Sequence, residues 1–148
     1  MTIIVPTLKN KARFLMIGYG LILLFWMSLE NRDTLIVALL GTGATLIYLG
    51  SALLKRFGGR EFTHRAWSTA VVFLGAVFGG LSVVTTALLM FFKSSWHGHL
   101  YPDFPPAMIW AMLMRLPYWM LSGALLGLCC SILLFVRQAT TKETNFQP

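Results

Sequence analysis

Acidic side chains are scarce in this chain: five Asp and Glu stand against twelve Lys and Arg, and none of the five falls inside a long apolar run. Ion- and proton-coupled transporters normally carry a carboxylate within the membrane as their coupling group, so this shortage argues against a small exporter. Cysteine is scarcer still. Cys129 and Cys130 are adjacent, whereas a redox pair normally shows C-x-x-C, and they read as small buried packing residues of an apolar helix. A Ser-His-Asp arrangement, a nucleotide-binding glycine loop, H-E-x-x-H and an EF-hand loop are all missing, and no motif names a cofactor.

Polar surface is also in short supply. Charged residues make up 11% of the 148 positions against 57% hydrophobic and 14% aromatic, far too few to cover a soluble globule of this size. The net charge of +7 does not point to nucleic acid, because the basic residues sit in short clusters at the ends of apolar runs instead of along one polar face. An integral membrane protein is expected, forming one domain, since no segment between the apolar runs is long enough to fold separately.

What the chain has in abundance is long apolar sequence. Ala66 to Phe92 runs for 27 residues without an ionisable side chain. As a helix it would be roughly 40 Å long, against a hydrocarbon core of about 30 Å. Within it Ser68, Gly75 and Ser82 recur every seven residues, with Val72, Gly79 and Thr86 in the gaps. Gly75 and Gly79 stand in G-x-x-x-G spacing, which lets another helix approach backbone to backbone, where packing in lipid is strongest. Gly75, Gly79, Ser82 and Thr86 are therefore read as one packing stripe, and Gly123 and Gly127 as a partner pair for it.

Three further runs complete an all-α, four-helix membrane bundle with spans at about 14–29, 34–54, 68–92 and 116–136. The first follows Lys9, Lys11 and Arg13 and lacks a small-residue cleavage pattern, so it reads as an uncleaved span, although 16 residues cover only about 24 Å. The link Glu30-Asn31-Arg32-Asp33 is too short for anything but a tight turn, which makes the first two spans an antiparallel hairpin. Tyr48, in the second span, reads as an interhelix hydrogen bond or interface anchor. Arg115 and Pro117 divide the last apolar stretch. Either a short interfacial helix precedes a span that Pro117 can start, or one long kinked helix runs from Pro106 onward.

Basic residues set the orientation. The N-terminus, the loop holding Lys55, Arg56, Arg60 and Arg65, and the C-terminal tail carry nine Lys and Arg between them, and the opposite side carries Arg32, Lys93 and Arg115. By the positive-inside rule both termini are cytoplasmic and the loop 93–106 faces outward. A prokaryotic plasma membrane is the expected location, or a thylakoid membrane in a phototroph.

That outer loop holds the one constellation with chemical potential, Trp96-His97-Gly98-His99-Leu100-Tyr101-Pro102-Asp103. In extended backbone the period of two turns His97, His99, Tyr101 and Asp103 to one side. His97, His99 and Asp103 could hold a metal such as zinc, or His97 or His99 could ligate a haem- or chlorophyll-type ring. The plainer reading is a structured interfacial loop that docks on a partner through Trp96 and Tyr101. His64 reads as a solvated side chain of the basic loop, and Arg115 as a residue that snorkels to the outer interface, with pairing to Asp103 or to an anionic lipid as its second role.

Three readings of function follow. The favoured one is a non-catalytic accessory, stabilising or assembly subunit of a larger respiratory or photosynthetic membrane complex, with the lipid bilayer and other membrane subunits, or further copies of itself, as partners. The alternatives are a small redox, cofactor- or metal-binding membrane protein using His97 and His99, and an oligomeric channel.

Overall fold

The computed structural model describes residues 2–4, 11–30, 32–59, 61–97 and 102–144. Helices dominate it: α1 (Lys11–Ser28), α2 (Thr34–Phe57), α3 (His64–His97), α4 (Pro106–Leu113) and α5 (Leu116–Thr144). Two three-residue strands, β1 (Thr2–Ile4) and β2 (Glu61–Thr63), form an antiparallel ladder that pairs Thr2 with Thr63, Ile3 with Phe62 and Ile4 with Glu61. The ladder was not anticipated from the sequence. It brings the N-terminal segment to the α2–α3 connection.

Three helical stretches are long and apolar enough to cross a membrane: Thr34–Phe57, Ala66–Trp96 and Pro106–Val136. The first apolar helix, Arg13–Ser28, is shorter. Large apolar side chains face outward along every helix, among them Phe25, Leu39, Phe73, Leu126 and Leu133, which suits a lipid surround and would be costly in water.

Local signals account for most of the helix ends. Asp33 caps α2, its Oδ1 accepting from the Leu35 N–H at 2.8 Å. Lys55 and Arg56 occupy the last turn of α2, where positive charge suits the helix dipole. Gly59 then takes φ 78°, a left-handed conformation that glycine adopts without the steric cost of a Cβ. Pro106 sits in the first turn of α4 and Pro117 in the first turn of α5, where the missing N–H costs nothing. Only Met114 and Arg115 separate α4 from α5, and hydrogen bonds from Met114 N–H to Trp110 O (3.0 Å) and from Trp119 N–H to Arg115 O (3.1 Å) carry the chain across the break. The region 107–136 is therefore two helices joined by a single tight turn.

The centre of the fold is α3, 34 residues long, with α5 and α2 packed antiparallel to it. Against α5 the contact is backbone to backbone. A Cβ placed on Gly75 would collide with the Gly123 carbonyl oxygen, one on Gly123 with the Gly75 carbonyl oxygen, and one on Gly79 with the Trp119 carbonyl oxygen. A Cβ on Gly127 would meet Val71 O at 2.6 Å. The four glycines thus remove the bulk that would otherwise hold the two axes apart.

Ser82 and Thr86 do not share that partner uniformly. Thr86 meets α2, where it fills the space over Gly41, and the neighbouring Thr85 Oγ1 accepts a hydroxyl hydrogen bond from Thr45 at 3.1 Å. Ser82 is buried and donates to Phe78 O at 2.8 Å within its own helix. The small-residue stripe therefore serves two neighbours, glycines towards α5 and Thr86 towards α2.

Cys129 and Cys130 are exposed, which corrects the expectation that they are buried packing residues. The inward face of α5 is Gly123, Gly127 and Ser131, spaced four apart and all buried, and it leaves 129 and 130 pointing away from α3. Tyr48 makes its interhelix contact, donating to Met16 O at 3.3 Å, and Tyr19 donates to Leu40 O at 2.6 Å.

Candidate functional site at the α1–α2 and α3–α4 connections

Side-chain packing is concentrated at one end, in a cluster of Trp26, Val37, Val83, Leu89, Met90, Phe104 and Met112. Inside it lies a charge. Lys93 is completely inaccessible to solvent (0% exposed), although by hydropathy it marks the end of a span. The reason is that α3 does not stop at Phe92 but runs to His97, so Lys93 continues the inward face after Thr86 and Met90 at helical spacing.

Lys93 enters the cluster as a paired cation. Its Nζ stands 4.1 Å from the centroid of the Trp26 ring and donates to Trp26 O at 3.5 Å. That carbonyl also accepts the Leu29 N–H at 3.1 Å, since α1 ends at Ser28 and leaves its last carbonyls without intrahelical donors. The negative end of the α1 dipole is thus met by the Lys93 ammonium.

The opposing charge is Asp103, close enough to act electrostatically on Lys93. Its side chain is 4% exposed, and its Oδ1 lies 3.4 Å from Nε of Arg32, itself 67% exposed. One carboxylate therefore joins the α1–α2 link to the α3–α4 return. Next to it, Ser94 Oγ donates to Phe104 O at 3.1 Å and accepts the Phe104 N–H at 3.0 Å. This reciprocal pair fixes the return segment onto the last turns of α3 and seats the buried Phe104 ring.

Around this fixed corner the aromatic residues turn outward. Trp96 is 69% exposed, and Trp110, Met114 and Tyr118, at intervals of four, form an exposed row across the α4–α5 junction. Arg115 is exposed beside them.

The sequence-derived site residues fall differently. Asp103 is engaged by Arg32, in place of the alternative pairing with Arg115. His97 is the last residue of α3, while His99 and Tyr101 lie outside the described residues, as does the side chain of His97. Among the described residues no group of three His, Cys, Asp or Glu could hold a metal. Lys93 and Trp26 were not singled out from the sequence, although the spacing of Thr86, Met90 and Lys93 was a usable signal.

No protein-family model, curated protein sequence or solved structure matches this chain.

Proposed function

We propose that the chain is a four-span, non-catalytic subunit of a larger membrane complex, with both termini cytoplasmic, that docks through its outer aromatic rim. Trp96 carries this reading: a large ring left exposed within three residues of Lys93 and Ser94, both of which are held in place. A pre-organised aromatic loses little side-chain entropy on binding, and such rings dominate interface energetics. The β1–β2 ladder supports the fourth span, because it puts the segment before α1 at the same end as the segment after α2. A prokaryotic plasma membrane, or a thylakoid membrane, and a respiratory or photosynthetic complex remain the proposed setting.

Native gels of the membrane complex test the proposal. Trp96→Ala should loosen association by at least tenfold, the effect of losing a contact worth about 1.4 kcal/mol or more, while replacing both His97 and His99 by Ala leaves it intact. If the double His variant loses a bound chromophore or metal and Trp96→Ala has no effect, the docking reading is wrong and the ligand-binding alternative replaces it.

A further inference from the structure

Four contacts fix how far along α3 each part of the last two helices lies. Ser94 bonds Phe104, and Gly79, Gly75 and Val71 lie against Trp119, Gly123 and Gly127. The 15 residues from Ser94 back to Gly79 are matched by the 15 from Phe104 on to Trp119, so the antiparallel register holds across the α4–α5 break. Arg115, four residues before Trp119, therefore stands level with Val83. That level is halfway through the bundle: Thr85, two residues from Val83, bonds Thr45 midway along the apolar run Thr34 to Leu54 of α2. From Val83 to Ser94 is 11 residues of helix, about 16 Å, and from Val83 to Ala66 is 17, about 26 Å, so an arginine at this level can snorkel to neither end. Hydropathy puts Arg115 at an interface because it interrupts an apolar stretch; the packing register puts it at mid-depth.

Its side chain is exposed, beside the exposed row Trp110, Met114 and Tyr118. Ionisable residues within a membrane almost always face the interior of a bundle and pair there. Arg115 faces out of its own bundle. The chain has no means of neutralising it: none of its five acids lies in a long apolar run, and Asp103, the acid nearest in sequence, is held by Arg32 at the Ser94–Phe104 corner. A second copy would bring the same lack, and an anionic lipid carries its charge at the membrane surface, not at this depth.

We infer that Arg115 pairs with a carboxylate of a neighbouring membrane subunit, an Asp or Glu set at mid-depth on the outer face of that subunit's helices. The inference rests on the proposed docking into a larger complex and gives the partner its chemistry. An arginine fork takes a carboxylate through two parallel hydrogen bonds, and out of water such a pair discriminates strongly between partners.

Two measurements in native membranes test it. Arg115→Gln should loosen the complex on native gels by about 30-fold or more, the effect of truncating one member of a desolvated charge pair, while the melting temperature of the isolated full-length protein stays unchanged. Arg115→Lys, treated with the membrane-permeant dicyclohexylcarbodiimide, should yield a covalent adduct between this chain and one other subunit that wild type does not give. The reagent condenses an amine with a carboxylate to an amide and leaves as dicyclohexylurea, having taken up the water, so mass spectrometry of the adduct locates the acid. Absence of that adduct, an adduct with a second copy of this chain, or an Arg115→Gln complex as firm as wild type would overturn the inference, as would a fall in the melting temperature of isolated Arg115→Gln protein. If Trp96→Ala still loosens the complex in such a case, docking through the aromatic rim survives without it; if neither variant has an effect, both readings fall.

Discussion

Nζ of Lys93, on the third helix, stands 4.1 Å above the ring of Trp26, on the first, and donates to the same residue's carbonyl oxygen. One side chain thereby couples a helix end, an aromatic face and, through Asp103, the α1–α2 and α3–α4 connections. Burying a charge in this way is costly unless it is paired. The partners should therefore be unequal in effect. Asp103→Asn should destabilise the protein by about 3 kcal/mol, the lower end of the range for removing one member of a buried pair. Arg32→Ala should cost less than about 1 kcal/mol, because its guanidinium is largely in solvent. Lys93→Met, which replaces cation and stem by an apolar chain, should be tolerated better than Asp103→Asn, since Asp103 keeps Arg32. Unfolding in detergent measures all three, and an Arg32→Ala loss as large as that of Asp103→Asn would contradict the network described.

The glycines divide into two kinds with opposite signs. Gly123→Ala and Gly79→Leu push a Cβ or more into the backbone of the facing helix, so they should destabilise, the alanine change by about 1–3 kcal/mol and the leucine change by more. Gly18→Ala puts a methyl into open space and should stabilise by about 0.5–1 kcal/mol through the ordinary helix preference for alanine. Val77→Leu, off the glycine face, should fall between the two. Melting temperatures in one detergent suffice to rank them.

Antiparallel pairing of Ile3 with Phe62 makes these two positions suitable for a cross-link. With Cys129 and Cys130 replaced by Ser, cysteines at 3 and 62 should form a disulfide on mild oxidation. Cysteines at 3 and 18 should not. Gel mobility before and after reduction reads the result.

Topology gives a fourth prediction. Reporter fusions at Gly58 and at Pro148 should give the cytoplasmic signal, and a fusion at Gly98 the external one, following the nine-to-three distribution of basic residues. An external signal at Gly58 would invert the whole arrangement.

The elements best read from the sequence are those whose signal is long or repeated. An apolar run such as Thr34 to Leu54 announces a helix on hydropathy alone, and α2 occupies Thr34–Phe57. G-x-x-x-G spacing likewise marks Gly75 and Gly79, which lie against Gly123 and Trp119. Hydropathy misled at the end of α3, because it treats Lys93 as a boundary. Helix propensity does not: Lys93-Ser94-Ser95-Trp96-His97 contains no breaker, and the first stop signal is Gly98. The ladder was hidden for another reason. Strands of three residues are too short to show a period of two, and their pairing joins positions 57 to 61 apart, which no local pattern reveals. Burial of Cys129 and Cys130 was misjudged because an apolar residue on a lipid-exposed helix need not face inward, and only the position of the glycine face tells which side does.

The ladder also bears on the order in which the chain assembles. β1 leaves the ribosome first, but its partner β2 follows only after both α1 and α2 have been made, so the N-terminal hairpin stays an open loop until then. α1 is the shortest of the apolar helices near the full span length, and beyond its tyrosine bonds with α2 its contact with α3, Lys93 on Trp26, is synthesised later still. Biogenesis should therefore proceed in stages: α1 joins α2 through the two tyrosine hydroxyls, the ladder and Lys93 lock it once β2 and α3 are made, and α5 slots last against the glycines of α3.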